Sequence, residues 1–512
     1  MLRLRALCEG LGLAVLASLV AGCEPGEPAG TGAPGALPIA SETGGAALAG
    51  TVSPGASVSA AASVSAAASA AAASAAASVS AAPASPPPAR PPSERPSASF
   101  KKPPRPNKIQ WQRVFAAYGH LLDMDDLLDD WHHRYPDKTR IVQLATTHQG
   151  RNVKALLIAD DPAKAAGRPS VLINGAHHGD EPLSAVIVED AIETLLEGSK
   201  SDPRIQRYLS ELAIWCVPLV NPDGFVTHLH EFKAGRKNGR PTKDKDGDLH
   251  GIVNRGVDLN RNYPFRWGSL REAGSRSKPE FRSYRGPEPA SEPEVRAMVA
   301  LSDREHFVAA LSLHTGTVTL LAPYTIDGVP QPQPNEAWPV AEHVARGLDN
   351  GTRKVYVLKN LYPVDGTDQD YHRGAHGTLA LLFEAAARDW EEPAEIKKAV
   401  AVARPSWGRL FDRYLDGPSV EGRVRDASGR PVSVEVQVAE VKTRAGETWK
   451  TRCPDGFFGR YLPATGKFTV RVVGGSAAPI DTPVEVTKEK GRVAVDIVVP
   501  DGVGTACPEG GG

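Results

Sequence analysis

Three apolar runs in this chain lead onto residues that can bind a metal or carry a proton, and that repetition restricts the fold more than any single motif. Val171-Leu-Ile173 leads into Gly175-Ala-His-His-Gly-Asp-Glu-Pro182, Phe307-Val-Ala-Ala-Leu-Ser-Leu313 stops at His314, and Thr378-Leu-Ala-Leu-Leu-Phe383 stops at Glu384. A fourth run, Ala213-Ile-Trp-Cys-Val-Pro-Leu-Val220, leads into Asn221-Pro-Asp-Gly224, a turn sequence. Short apolar runs of this kind suit strands covered on both faces. Functional side chains just past the carboxyl ends of such strands are what an open α/β sheet places around its ligand. The predicted fold class is therefore α/β, built on an open central sheet.

Leu183, Val186, Ile187, Ala191 and Leu195 recur at helical spacing, so a helix is expected to begin at the Gly175–Pro182 motif. Residues three apart on a helix share a face, which would aim His178 and Glu181 at a single ion. Imidazole nitrogen with carboxylate oxygen suits zinc, and a catalytic zinc needs one more protein ligand and an open position for water. His177 keeps a second assignment open, because it pairs with Asp180 at the same spacing, or with Glu181 one turn away. A plainer alternative is a polar helix start in which Asp180 and Glu181 complement the N-terminal dipole. Taken singly, His314 fits a satisfied core histidine and Glu384 a solvated strand end. Gly256-Val-Asp-Leu-Asn-Arg-Asn-Tyr263 carries too many amides and charges to be core.

His178-Gly-Asp-Glu181, Asn221-Pro-Asp-Gly224, Arg236-Lys-Asn238, Asp258-Leu-Asn-Arg-Asn262, Ser291-Glu-Pro-Glu294, His314, Tyr362 and Glu384 follow one another in a specific order. In that order and spacing, residues 109 to 416 resemble the zinc metallocarboxypeptidase family, whose carboxypeptidase A-like fold implies an α/β domain with a mixed central sheet and helices on both faces. The resemblance implies one zinc per chain, held by His178, Glu181 and His314, with water in the fourth position. It implies that Glu384 is the general base, taking a proton from that water and passing it to the leaving amine. Arg236 resembles the arginine that stabilises the oxyanion. Asn260 and Arg261 resemble the pair that grips the substrate's terminal carboxylate, a task suited to a planar guanidinium. Tyr362 resembles the tyrosine that closes over the substrate, and Asp258 would hold the second nitrogen of His178. Arg236 also lies in a basic run, Lys233 to Arg240, that reads equally as a solvated loop. Asp244-Lys-Asp-Gly-Asp248 resembles part of a calcium loop without its distal glutamate and is taken as a surface loop. His372 and His376 are taken as loop or packing residues.

Gln369-Asp370 resembles the Gln-Asp of the carboxypeptidase N/E-type enzymes, which remove C-terminal Arg or Lys, and Gln369 is accordingly a substrate-binding candidate. Those enzymes carry an aspartate where this chain has Ala322-Pro-Tyr-Thr325, so the acid is missing unless Asp327 reaches in. The choice between basic and apolar C-terminal residues stays open.

Arg3 and Arg5 precede an apolar run from Leu11 to Val20, too short to span a bilayer and shaped like a secretory signal. Val20-Ala-Gly-Cys23 looks like a bacterial lipobox, implying a signal over 1–22 and lipidation of Cys23, with plain secretion as the alternative. Glu24 follows the cysteine, where aspartate would mark inner-membrane retention, so an outer-membrane or surface location is expected. Residues 23–106 are Ala, Ser, Pro and Gly with almost no aromatics. They cannot bury enough apolar surface to fold and make a tether with a reach on the order of 50 Å or more.

The remaining chain suffices for one large and one small domain: a catalytic domain over 107–417, a β-sandwich over 418–502 and a tail over 503–512. Val420–Val424, Val432–Val438, Phe468–Val473 and Val493–Val499 alternate apolar and polar residues between Gly and Pro turns, and resemble a transthyretin-like domain. Of five cysteines, Cys8 leaves with the signal, Cys216 reads as buried, and Cys453 and Cys507 could pair in an oxidising compartment. The formal net charge of -1 argues against a nucleic-acid partner. The expected partners are peptide or protein C-termini and, through the lipid, a membrane, with the protein a monomer. Trimming of peptidoglycan stem peptides is the alternative activity, and an inactive surface-binding protein is a third class.

Overall fold

In the computed structural model, which describes residues 124–230, 234–243, 255–326, 333–349, 354–387, 393–444, 447, 449–475 and 477–508, the apolar runs join one eight-stranded sheet. The signal, Cys23, the tether, the Asp244–Asp248 loop and Asp327 lie outside the described residues. The sheet comprises β1 (Thr139–Thr146), β2 (Asn152–Ile158), β3 (Ser170–Gly175), β4 (Ala213–Val217), β5 (Ala309–His314), β6 (Thr319–Leu321), β7 (Tyr356–Leu358) and β8 (Leu379–Glu384). Its order is β1-β2-β4-β3-β5-β8-β6-β7. The four central strands are parallel, with β1 and β2 antiparallel on one side and β6 antiparallel to β8 on the other. The sheet is thus mixed, as the resemblance implies.

Strand side chains alternate between faces, and each face has its own core. Val171 and Ile173 of β3 pack with α1 (Met124–Arg134), α2 (Pro182–Gly198), α3 (Pro203–Glu211), α4 (Pro222–His230), α6 (Ala337–Ala345) and α8 (Pro393–Leu415). Leu172, between them, packs against α5 (Pro293–Glu305) and Tyr371 of α7 (Asp368–His376). No helix among the described residues is long and apolar enough to cross a membrane.

Two local expectations are corrected. The helix after the metal motif starts at Pro182, and Glu181 is its N-cap residue, so His178 and Glu181 do not share a helix face. Proline supplies no N–H and has a fixed φ, which suits the first helical position. The His178–Glu181 segment is instead a turn, closed by the Glu181 N–H donating to the His178 carbonyl at 3.2 Å. The Asn221-Pro-Asp-Gly224 segment is not a simple turn but opens α4, with the Asn221 side-chain oxygen accepting the Gly224 N–H at 2.8 Å.

Beyond α8, β9 (Ser419–Asp426), β10 (Val432–Ser433), β11 (Glu435–Val438), β12 (Phe457–Tyr461), β13 (Gly466–Val473), β14 (Ile480–Val486), β15 (Arg492–Ala494), β16 (Ile497–Val499) and β17 (Thr505–Ala506) build a small β-sandwich. One sheet holds β11-β13-β14, and β9 pairs with β12, β15 and β16 in the other. Val420, Val424, Val436, Val470, Val472 and Val486 fill the space between them. The strand β12 serves two cores. Phe458 faces the sandwich, while Phe457 and Tyr461 join the core beneath the large sheet. The Tyr461 hydroxyl donates to the Leu410 carbonyl of α8 at 2.9 Å. Cys453 and Cys507 form a disulfide, and Cys216 is free and buried.

Candidate metal and substrate site

The carboxyl ends of β3, β5 and β8 converge at one place. The chain leaves β3 through Ala176, whose φ of 53° is uncommon for a residue with a side chain. That turn is held at both ends: the Ala176 N–H donates to Ser184 Oγ at 2.9 Å, and its carbonyl accepts the Asn221 N–H at 3.0 Å. Gly179 then passes so close to the start of α4 that a Cβ there would lie 2.1 Å from backbone atoms of Gly224 and Phe225. Both glycines of the paired motifs are therefore required by backbone contact, and Asn221 Nδ2 ties the segment to the Arg236 loop by donating to the carbonyls of His177 and Arg236.

This places His178 beside Glu181 and His314. The ligating atoms of these three buried residues lie within 4.8 Å of one another. His178 Nδ1 is 2.7 Å from Glu181 Oε1, and His314 Nδ1 is 2.9 Å from Glu181 Oε2. Burial opposes ionisation of Glu181, but the two imidazoles outweigh it and hold its carboxyl well below the usual range. Two imidazole nitrogens and a carboxylate oxygen converging on one point form a donor set that suits zinc. His177 is outside this cluster. Its Nε2 is 2.8 Å from the Tyr263 hydroxyl, its ring stacks on His314 at 5.7 Å, and burial pushes its pKa down to about 4.

Asp258 lies behind the cluster, fully buried. Its Oδ1 is 3.1 Å from His178 Nε2, and its Oδ2 accepts from Arg236 Nε at 3.0 Å. Burial works against the carboxylate form, but Arg236, Arg261 and His178 hold Asp258 well below the ordinary range. Arg236 also comes within 3.7 Å of Glu181 Oε1, so it belongs to the metal cluster's edge and is not a solvated loop cation.

Beside the cluster is a cavity lined by His178, Asn260, Arg261, His314, Tyr362 and Glu384, together with Leu321, Thr325, Val364, Gln369 and Leu382. Parallel register sets Glu384 of β8 opposite His314 of β5. Arg261 is buried, its Nη1 donating to the Asn260 carbonyl at 2.6 Å and its Nη2 to the Tyr362 hydroxyl at 3.3 Å. Its Nε has no hydrogen-bond partner, and it makes no ion pair among the described residues. Asn260 accepts the Asp368 N–H through Oδ1 at 2.8 Å. Tyr362 is half exposed at the mouth.

The sequence reading missed Thr325, Leu321, Val364 and Leu382 as cavity residues, and Asp368 as a buried carboxylate 3.9 Å from His177 Nε2. The apolar residues carry no local signal, since they resemble any core position. Asp368 and Thr325 adjoin segments that had been singled out.

The sequence profile described as zinc carboxypeptidase matches residues 124–405, more than half of the chain. The chain belongs to the zinc carboxypeptidase family. Zinc is that family's metal, and the His178–Glu181–His314 cluster fits it. Among relatives of this chain, metallocarboxypeptidase A of Trichophyton tonsurans is 26% identical over 275 residues, covering 51% of this chain and 61% of that protein. Zinc carboxypeptidase A 1 of Anopheles gambiae is 28% identical over 275 residues, covering 52% and 59%. The chain thus spans about three-fifths of the length of the curated relatives it matches. In fold it is similar to thrombin activatable fibrinolysis inhibitor, with a TM-score of 0.52 at 19% identity, covering 62% of this chain and 78% of the other. It is also similar to carboxypeptidase A of Helicoverpa armigera, with a TM-score of 0.50 at 21% identity, covering 59% and 78%.

Proposed function

We propose that the protein is a metallocarboxypeptidase that hydrolyses the C-terminal peptide bond of peptides or proteins. The observation that carries this reading is the buried Arg261 guanidinium, which has no ion-pair partner among the described residues and lines the same cavity as His178, His314 and Glu384. An unpaired buried cation is costly and is relieved when a substrate's terminal carboxylate binds, with the Asn260 amide beside it. That grip sets which bond reaches Glu384, so cleavage occurs one residue from the chain end. Zinc, when bound by His178, Glu181 and His314, polarises the scissile carbonyl and acidifies water. Glu384 takes the proton of the attacking water and returns it to the departing amine. Arg236, kept cationic by Asp258 and Glu181 against its burial, stabilises the negative charge that grows on the carbonyl oxygen. Tyr362 covers the bound residue.

Amidating the substrate's C-terminus tests this. The amide leaves Arg261 unpaired, a loss of about 2–5 kcal/mol for a buried hydrogen-bonded charge pair. Amidated peptides should therefore be cleaved at least ~30-fold more slowly than the free acids, at tenfold per 1.4 kcal/mol. Arg261→Ala should narrow the gap by slowing only the free acid. Equal cleavage of both by the wild type would overturn the exopeptidase reading.

We further propose that Cys23 carries a lipid that holds the enzyme at the outer membrane or cell surface, with the transthyretin-like sandwich packed against the catalytic domain through Phe457 and Tyr461. The sequence Val20-Ala-Gly-Cys23 supports the anchor, and the Cys453–Cys507 pairing suits an oxidising compartment. Cys23→Ser should move the protein from the membrane to the soluble fraction with its peptidase activity intact. Unchanged sedimentation with membranes would refute the anchor.

A further inference from the structure

Gln369, in the cavity lining, belongs to a hydrogen-bonded relay with one end unpaired. Asp370, next in sequence to the candidate Gln369, is not part of the cavity lining. Its carboxylate accepts the Thr325 N–H at 2.8 Å, the Thr325 hydroxyl at 3.0 Å and the Ile326 N–H at 3.0 Å. The single proton of the Thr325 hydroxyl is thereby committed to Asp370, so its oxygen can only accept from Gln369, whose Nε2 donates to it at 2.9 Å. This fixes which end of the Gln369 amide is which, because a reversed amide would set two acceptors against each other. The other end, Gln369 Oε1, is buried and has no hydrogen-bond partner among the described residues. Gln369 lines the cavity together with Leu321, Val364 and Leu382.

Resting on the carboxypeptidase reading, we propose that this pocket selects a C-terminal residue whose side chain is uncharged and ends in a hydrogen-bond donor, the carboxamides Gln and Asn before Lys, Glu or Met. The apolar walls take the methylene stem, and Gln369 Oε1 accepts the donor at its tip. A thioether leaves that buried acceptor unpaired, which is costly. A carboxylate side chain meets it acceptor to acceptor. An ammonium finds one neutral acceptor at Gln369, Asp370 is enclosed behind Thr325 with its three donors already in place, and the one carboxylate among the described residues of the lining is Glu384, whereas a buried charge needs a paired partner. Gln369 and Thr325 are therefore specificity determinants, with Asp370 acting on the substrate only by holding Thr325.

The test compares peptides identical except for a C-terminal Gln, Asn, Met, Lys or Glu. The better carboxamide should exceed Met, Lys and Glu in kcat/KM by at least ~10-fold, the scale of one buried hydrogen bond left unmade. Gln369→Leu should invert the Gln-to-Met order without changing zinc content. Calorimetric binding of the same peptides to a Glu384→Gln protein reads the pocket without turnover and should give the same order. A Lys peptide ranking first, or Met binding as well as the carboxamides in the wild type, would overturn the proposal. Binding in the expected order with no cleavage by the wild type would leave the selectivity standing and sink the peptidase reading instead.

Discussion

Replacing His314 with alanine should strip the protein of its zinc and abolish turnover, whereas His177→Ala should leave zinc near one equivalent per chain. The two histidines adjacent in sequence occupy different environments. The His178 ring reaches Glu181 with one nitrogen and Asp258 with the other, at 2.7 and 3.1 Å, the arrangement that fixes a ligand's tautomer and orientation. The His177 ring is spent on Tyr263 at 2.8 Å. Removing His314 takes away one of three converging donors, and a site reduced to two protein ligands no longer closes around zinc. Removing His177 leaves the Tyr263 hydroxyl unpaired in the core, a stability cost of about 1–3 kcal/mol with the metal donors untouched. Metal content after dialysis, alongside the thermal midpoint, separates the two effects. Zinc lost from the His177→Ala protein would mean that the cluster is assembled on the wrong histidine.

The choice of His178 over His177 came from the resemblance and was not legible in residue spacing, and the reason is physical. Spacing along a presumed helix cannot separate His177 from His178, and the helix starts only at Pro182, so the spacing rule was applied to a turn. What separates them is Asp258, which is distant in sequence, together with the contact of Gly179 with Gly224. The central strands were readable because burial on both faces leaves uninterrupted apolar runs. His314 and Glu384, each of which singly has a plain structural reading, stood out because several such runs lead onto polar residues in the same way. The sandwich strands Phe457–Tyr461 and Ile480–Val486 escaped notice: the first is buried along its whole length and does not alternate, and the second carries Pro483 within the strand. The relay at Gln369 escaped as well. The sequence offered Gln369 as a substrate-binding candidate, but only the Thr325 contacts reveal how Asp370 holds Thr325 beside it.

Glu384→Gln should reduce kcat by ~10²-fold or more, the range lost when a general base is removed, while zinc content and peptide binding stay near wild type. Glutamine keeps the shape and the hydrogen-bonding oxygen of the side chain, so the cavity and the register between β5 and β8 are preserved. It cannot take up a proton at neutral pH. Three of the buried carboxylates nearby are already committed, and Asp368 sits behind the cavity against His177. Glu181 faces two imidazoles, Asp258 is shared by His178 and Arg236, and Asp370 is held by Thr325 and Ile326. Glu384 is the one carboxylate among the described residues lining the cavity, so no neighbour stands ready to replace it. Single-turnover kinetics with calorimetric binding on the same preparation would isolate the chemical step. Turnover within a few-fold of wild type would show that proton transfer runs through another group and that Glu384 only shapes the cavity.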